Sequence, residues 1–126
     1  MAEQCEVITT EFENIPVEAM QYLARKRPVH PRGEVLAITQ NRIHEKIFIQ
    51  SLDLDTSPFI TIESEQDLAG ADAFSYPAIL KTATLGYDGK GQVLCSSAVE
   101  VAATSGSWSR TSDGLLLHPF PNKTTP

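Results

Sequence analysis

Three glycines within a few residues constrain this chain more than any other stretch. Gly86, Gly89 and Gly91 follow an apolar run, Ala78-Ile79-Leu80, that ends on Lys81. Glycine allows backbone conformations barred to other residues and lets the main chain approach a ligand closely. Asp88-Gly89 is a strong hairpin turn signal, and Val93-Leu94-Cys95-Ser96 supplies a returning strand. The same segment also reads as an anion-binding nest of successive N–H groups, with Lys81 and Lys90 as point charges. The two readings are compatible, because a hairpin can fold over a nucleotide. The segment is not a phosphate loop of the Gly-Lys-Ser/Thr type, since no Ser or Thr follows Lys90. It does not open onto a helix, as a dinucleotide fingerprint would.

Composition narrows the class. At 126 residues the chain corresponds to one domain or parts of two. A hydrophobic fraction of 41% with 21% charged residues fits a folded protein. A net charge of -6 argues against a nucleic-acid partner. No apolar run reaches the ~20 residues that span a bilayer, so no membrane role is expected. The polar start at Met1 to Cys5 lacks the pattern of a secretory signal. Cys5 and Cys95 stand far apart and fit reduced thiols, so a cytoplasmic location is expected.

The order of signals is α/β. Val7 to Thr10 is β-prone, and Pro16 suits a first helical position before the rough stripe Val17, Met20, Tyr22, Leu23 and Ala24. Arg25-Lys26-Arg27 reads as a solvated helix terminus. Pro28, Pro31 and Gly33 read as a stiff connector and a boundary between units. Glu34 to Leu52 reads as one longer helix with Leu36, Ile43 and Ile47 on a stripe. Phe59 to Ile62 alternates as a strand, and Ser64 caps a short helix with Asp67 in its first turn. After Val101 the composition turns to Ser, Thr, Gly and Pro around an isolated Leu115-Leu116-Leu117, which predicts a disordered tail. His30, His44 and His118 show no metal-ligand spacing, and Cys95 reads as a buried hydrophobe.

Tyr76-Pro77-Ala78-Ile79-Leu80-Lys81 followed by Gly86-Tyr87-Asp88-Gly89-Lys90-Gly91-Gln92 closely resembles the adenine-nucleotide segment of 5-(carboxyamino)imidazole ribonucleotide synthase, an ATP-grasp ligase of purine biosynthesis. Thr10 to Pro16 looks like that family's acidic strand end, and Asn41-Arg42-Ile43-His44-Glu45-Lys46 looks like its Asp-Arg-x-x-x-Lys helix with Asn41 in place of Asp. The resemblance runs from about Cys5 to about Ala102. It implies an α/β fold in which the end of a nucleotide-fold pre-ATP-grasp domain (residues 1–33) precedes the first lobe of an ATP-grasp domain (residues 34–102), with residues 103–126 an unstructured tail.

The resemblance also implies an activity: ATP-dependent carboxylation of 5-aminoimidazole ribonucleotide by bicarbonate, giving the N5-carboxyamino nucleotide, ADP and phosphate. Magnesium is the implied metal and a homodimer the implied assembly. Carried over residue by residue, Arg42, Lys81, Gly86, Tyr87, Asp88, Gly89, Lys90, Gly91 and Gln92 match ATP-binding positions, and Glu11 matches a substrate-binding one. The family's opening Gly-rich turn and its later Glu- and Asn-containing magnesium site have no counterpart here. The chain is therefore expected to be a truncated or frame-shifted piece, without catalytic or metal-binding residues of its own. Another ATP-grasp ligase and a non-catalytic nucleotide-binding fragment stand as alternatives.

Overall fold

The computed structural model describes residues 4–86, 89–108 and 113–120. Contacts divide the chain into two compact units, Met1–Phe48 and Ile49–Pro126.

The first unit is a small β-α-β arrangement with further helices. Strand β1 (Ile8–Thr9) pairs in parallel with β2 (Val29–His30), and helix α1 (Val17–Ala24) connects them. Parallel neighbours need such a crossover, because a tight turn reverses the chain. Pro16 sits at the N-cap, one residue earlier than expected, and its carbonyl accepts the Ala19 N–H at 3.0 Å. Met20, Val29 and Leu36 form the buried core, flanked by Ile8, Ile15 and Leu23. The segment read as a stiff connector thus contains a strand. Val29 is 5% exposed, and the carbonyl of Pro28 accepts the Ile8 N–H at 2.9 Å.

The helix expected over residues 34–52 is two helices, α2 (Gly33–Thr39) and α3 (Arg42–Ser51), the latter running across the division between units. Asn41 makes the break. Its buried side-chain oxygen accepts the N–H groups of Ile43 at 2.9 Å and His44 at 3.3 Å, which caps α3. Asparagine competes well for such orphan donors and so starts helices better than it continues them. Gly33 opens α2. A Cβ there would stand 3.4 Å from that of Met20, so α2 lies close against α1.

The second unit is a four-stranded antiparallel sheet in the order β3-β6-β4-β5. Its strands are β3 (Ile60–Ile62), β4 (Ala78–Thr82), β5 (Gln92–Cys95) and β6 (Leu115–Pro119). A 3₁₀ segment (Glu65–Leu68) and α4 (Ala69–Asp72) precede β4, and α5 (Ala98–Trp108) follows β5. Ile62, Ala71, Ala78, Leu80, Cys95, Val101, Leu115 and Leu117 form one buried cluster, with Phe74, Tyr76 and Trp108 packed on it.

The tail expected from residue 103 is structured where it is described: residues 103–108 complete α5 and 115–119 form β6. Residues 109–112 and 121–126 lie outside the described residues. The Ser-rich helix meets its polar demands locally, with the hydroxyls of Ser105 and Ser107 donating to the carbonyls of Ala102 and Thr104. Leu115, Leu116 and Leu117 are each at most 1% exposed. A run of three apolar residues suits a strand with neighbours on both sides, and β6 lies between β3 and β4.

Candidate nucleotide site

Alternation along the sheet separates two faces. Ala78, Leu80, Cys95, Leu115 and Leu117 turn into the core. Ile79 and Lys81 turn the other way. Register sets Ile79 beside Leu94 on β5 and His118 on β6, and Lys81 beside Gln92 and Leu116. Leu116 is buried on that face, so the part of it open to a ligand is Ile79 and Leu94, one register step from Lys81. Leu94 is 51% exposed. Apolar side chains next to a cation are chemically suited to a planar base joined to phosphates.

The loop that joins β4 to β5 begins after Thr82, the residue that follows Lys81. Gly89 and Gly91 both take positive φ, at 77° and 67°. Lys90 stands exposed between them. Gly91 is required twice over. Besides its φ, an added Cβ would stand 2.6 Å from the Thr82 hydroxyl. Leu85 also takes a positive φ of 61°, a conformation costing a non-glycine residue roughly 1–2 kcal/mol. The hairpin reading and the glycine-loop reading thus describe the same element. Tyr87 and Asp88 lie outside the described residues.

Lys81, Gly86, Gly89, Lys90, Gly91 and Gln92 belong to this hairpin of the second unit, whereas Arg42 and Glu11 belong to the first unit. Arg42 is the first residue of α3, half-buried directly after the Asn41 cap. Glu11 is exposed just beyond β1. The backbone after it is held by Gln40, whose side-chain amide donates to the carbonyls of Glu13 and, at 2.7 Å, Ile15. Sequence reasoning missed Gln40, because nothing local signals a contact with a loop so far away in the chain.

Burial pushes the Cys95 thiol up, with Glu100 adding to the shift and a backbone hydrogen bond from Leu80 opposing it. A thiol so placed is protonated and inert at neutral pH. Tyr76 is likewise raised, mainly by burial, while its hydroxyl donates to the carbonyl of Ala71 at 2.8 Å. The ring nitrogen Nδ1 of His118 lies 3.0 Å from the carbonyl of Pro119. Among the described residues there is no group of three or more His, Cys, Asp and Glu that could hold a metal ion. Nor is any described helix long and apolar enough to cross a membrane. A cavity of about 640 Å³ lies elsewhere, between the 3₁₀ segment, α5 and the start of β6, lined by Ser64, Leu68 and Ser105 among others. It is on the helix side of the sheet, away from Lys81.

This topology matches known proteins. The ATP-grasp domain model matches residues 47–120, and the ribonucleotide synthetase preATP-grasp domain model matches residues 1–40. The chain belongs to the ATP-grasp family. More particularly, it is similar to N5-carboxyaminoimidazole ribonucleotide synthases. It is 40% identical over 102 residues to the synthase of Pseudomonas aeruginosa, covering 80% of this chain and 28% of that one. It is 48% identical over 101 residues to the bifunctional purine synthesis protein purC/E of Dictyostelium discoideum, covering 79% of this chain and 10% of the relative. The crystal structure of N5-carboxyaminoimidazole synthetase from Staphylococcus aureus complexed with ADP superposes with a TM-score of 0.83 at 32% identity, covering 96% of this chain and 32% of that one. The chain thus spans less than a third of the length of these three proteins.

Proposed function

We propose that the β4–β5 hairpin is the phosphate-binding edge of an ATP site, in a ligase that carboxylates 5-aminoimidazole ribonucleotide with bicarbonate. The observation that carries this reading is the placement of Lys81 on the non-core face of the sheet, one residue short of a loop with two glycines at positive φ. Lys81 and Lys90 supply charge to the phosphates, and the N–H groups of Gly89 to Gln92 supply donors. Ile79 and Leu94 carry the apolar part of the nucleotide. Arg42 adds a guanidinium that stays charged at any working pH, and Glu11 holds the ribonucleotide substrate. Tyr87 and Asp88 complete the ATP loop. Similarity to the synthase from Staphylococcus aureus, which was crystallised with ADP, supports the nucleotide assignment.

In the proposed reaction a bicarbonate oxygen attacks the γ-phosphorus of ATP and ADP leaves. The substrate amine then attacks the carbonyl carbon of the resulting carboxyphosphate, phosphate leaves with the C–O bonding pair, and the proton lost from the amine nitrogen passes to that phosphate. This chain's residues hold and orient the triphosphate during the first step.

Two measurements test the reading. The 126-residue chain is expected to bind ATP weakly in equilibrium dialysis, and Lys81→Ala to weaken that binding about tenfold. A chimera in which residues 5–102 replace the matching segment of the Pseudomonas aeruginosa synthase is expected to release ADP only with 5-aminoimidazole ribonucleotide and bicarbonate. Equal ADP release with unrelated amines would overturn the substrate assignment.

A further inference from the structure

The neck of the glycine loop is closed by one residue that no motif singles out. Thr82, the last residue of β4, touches both limbs of the loop. Its hydroxyl donates to the carbonyl of Thr84 on the outgoing limb at 2.8 Å, with a longer contact of 3.4 Å to the carbonyl of Gly91. Its backbone N–H donates to that Gly91 carbonyl, on the returning limb, at 2.9 Å. The limbs are also close to each other, since a Cβ on Gly91 would stand 3.4 Å from the Cα of Gly86. The absence of a side chain at Gly91 is what admits the Thr82 hydroxyl.

We infer that Thr82 is a positioning residue: its hydroxyl fixes the turn of the outgoing limb at Thr84 beside the Gly91 carbonyl that its N–H holds. With this clamp the N–H groups of Gly89 to Gln92 keep the geometry that receives phosphates. It does not touch the nucleotide itself. This rests on the ATP-site reading above, but the clamp has its own physical consequence. Lys90 lies exposed in the loop it closes, so tryptic cleavage after Lys90 reports how often the neck opens.

The test compares the 126-residue chain with Thr82→Val, which removes the hydroxyl at similar volume, and Thr82→Ser, which keeps it. Thr82→Ala is a second variant without the hydroxyl, should valine prevent folding. Cleavage after Lys90 is expected to rise about tenfold in Thr82→Val, and ATP affinity to fall about tenfold. Cleavage within Arg25 to Arg27, in the other unit, is expected to stay unchanged, and Thr82→Ser to match the parent in both readouts. The proposal is overturned if the hydroxyl-less variants are cleaved after Lys90 at the parent rate, or if Thr82→Ser behaves like them. It is also overturned if cleavage rises while the ATP affinity of a binding-competent parent is unaffected. If the parent binds no ATP, the nucleotide reading fails, and the cleavage ratio alone decides whether the clamp exists.

Discussion

The two units solve the problem of burying a core by different routes. The first packs three residues, Met20, Val29 and Leu36, between helices and strands that follow one another closely along the chain. The second closes only when β6, near the end of the chain, inserts between β3 and β4. Local contacts are entropically inexpensive to form, whereas distant pairing leaves a long loop to be closed first. The second unit therefore depends on a strand that arrives last in sequence, and the first does not.

The sharpest way to break this comparison is Leu117→Ala. Leu117 is fully buried in β6, and its truncation is expected to cost about 2–5 kcal/mol. Urea unfolding followed at Trp108, which packs on the same core, should shift strongly, while Tyr22 in the first unit reports little change. Coincident shifts at both probes would mean that the units unfold together.

Gly91→Ala comes next. The positive φ alone predicts a loss of roughly 1–2 kcal/mol, and the added methyl must displace the Thr82 hydroxyl. Thermal melting should register the loss, and ATP binding should fall below detection. Retained binding would show that the loop geometry is not what receives the phosphates.

Asn41→Ala probes the first unit. Loss of the cap is expected to cost about 1 kcal/mol and to fray the start of α3, where Arg42 sits. Asn41→Asp should restore the helix signal in circular dichroism, because a carboxylate accepts the same N–H groups. Failure of aspartate to restore it would locate the break between α2 and α3 in something other than capping.

The smallest effect belongs to Asp67. Its carboxylate accepts the N–H of Glu63 at 3.0 Å, the hydroxyl of Ser64 at 2.9 Å and the N–H of Ser64 at 2.8 Å. The Glu63 N–H first, and then the two Ser64 donors, hold this carboxyl below the ordinary carboxylate value. Because the folded pKa is depressed, its contribution is present in full above the unfolded carboxylate value. It fades as pH falls through the folded one. Asp67 is solvent-exposed, so Asp67→Asn should flatten the acid limb of the stability curve only slightly. A steep acid limb that Asp67→Asn leaves unaltered would assign the dependence to other carboxylates.

Much of the candidate site was legible before any coordinates. β4 and β5 follow from an apolar run, a Gly-rich turn and a second run, all local signals. The break at Asn41 was legible in principle, since asparagine ahead of a fresh stripe is a helix start signal, but continuous periodicity across it favours one long helix. The same holds for α5. Ser97 and Glu100 stand in capping-box spacing, and Glu100 accepts the Ser96 N–H at 2.7 Å and donates its own to the Ser97 hydroxyl at 3.4 Å. The Ser and Gly content that follows outweighs that cue in a reading by propensity.

The sequence by itself determined the β4–β5 hairpin with its lysine and glycine loop, because turn chemistry and short-range patterning require only neighbouring residues. It determined the Ser64–Asp67 turn and the α1 helix for the same reason. Tertiary structure alone decided that Val29–His30 is a strand and that Leu115–Pro119 lies inside the sheet. Tertiary structure also brought Gln40 to the backbone beyond Glu11. A short apolar run carries no record of its partners, and only pairing with β3 and β4 turns Leu115-Leu116-Leu117 from an isolated cluster into the middle of a core.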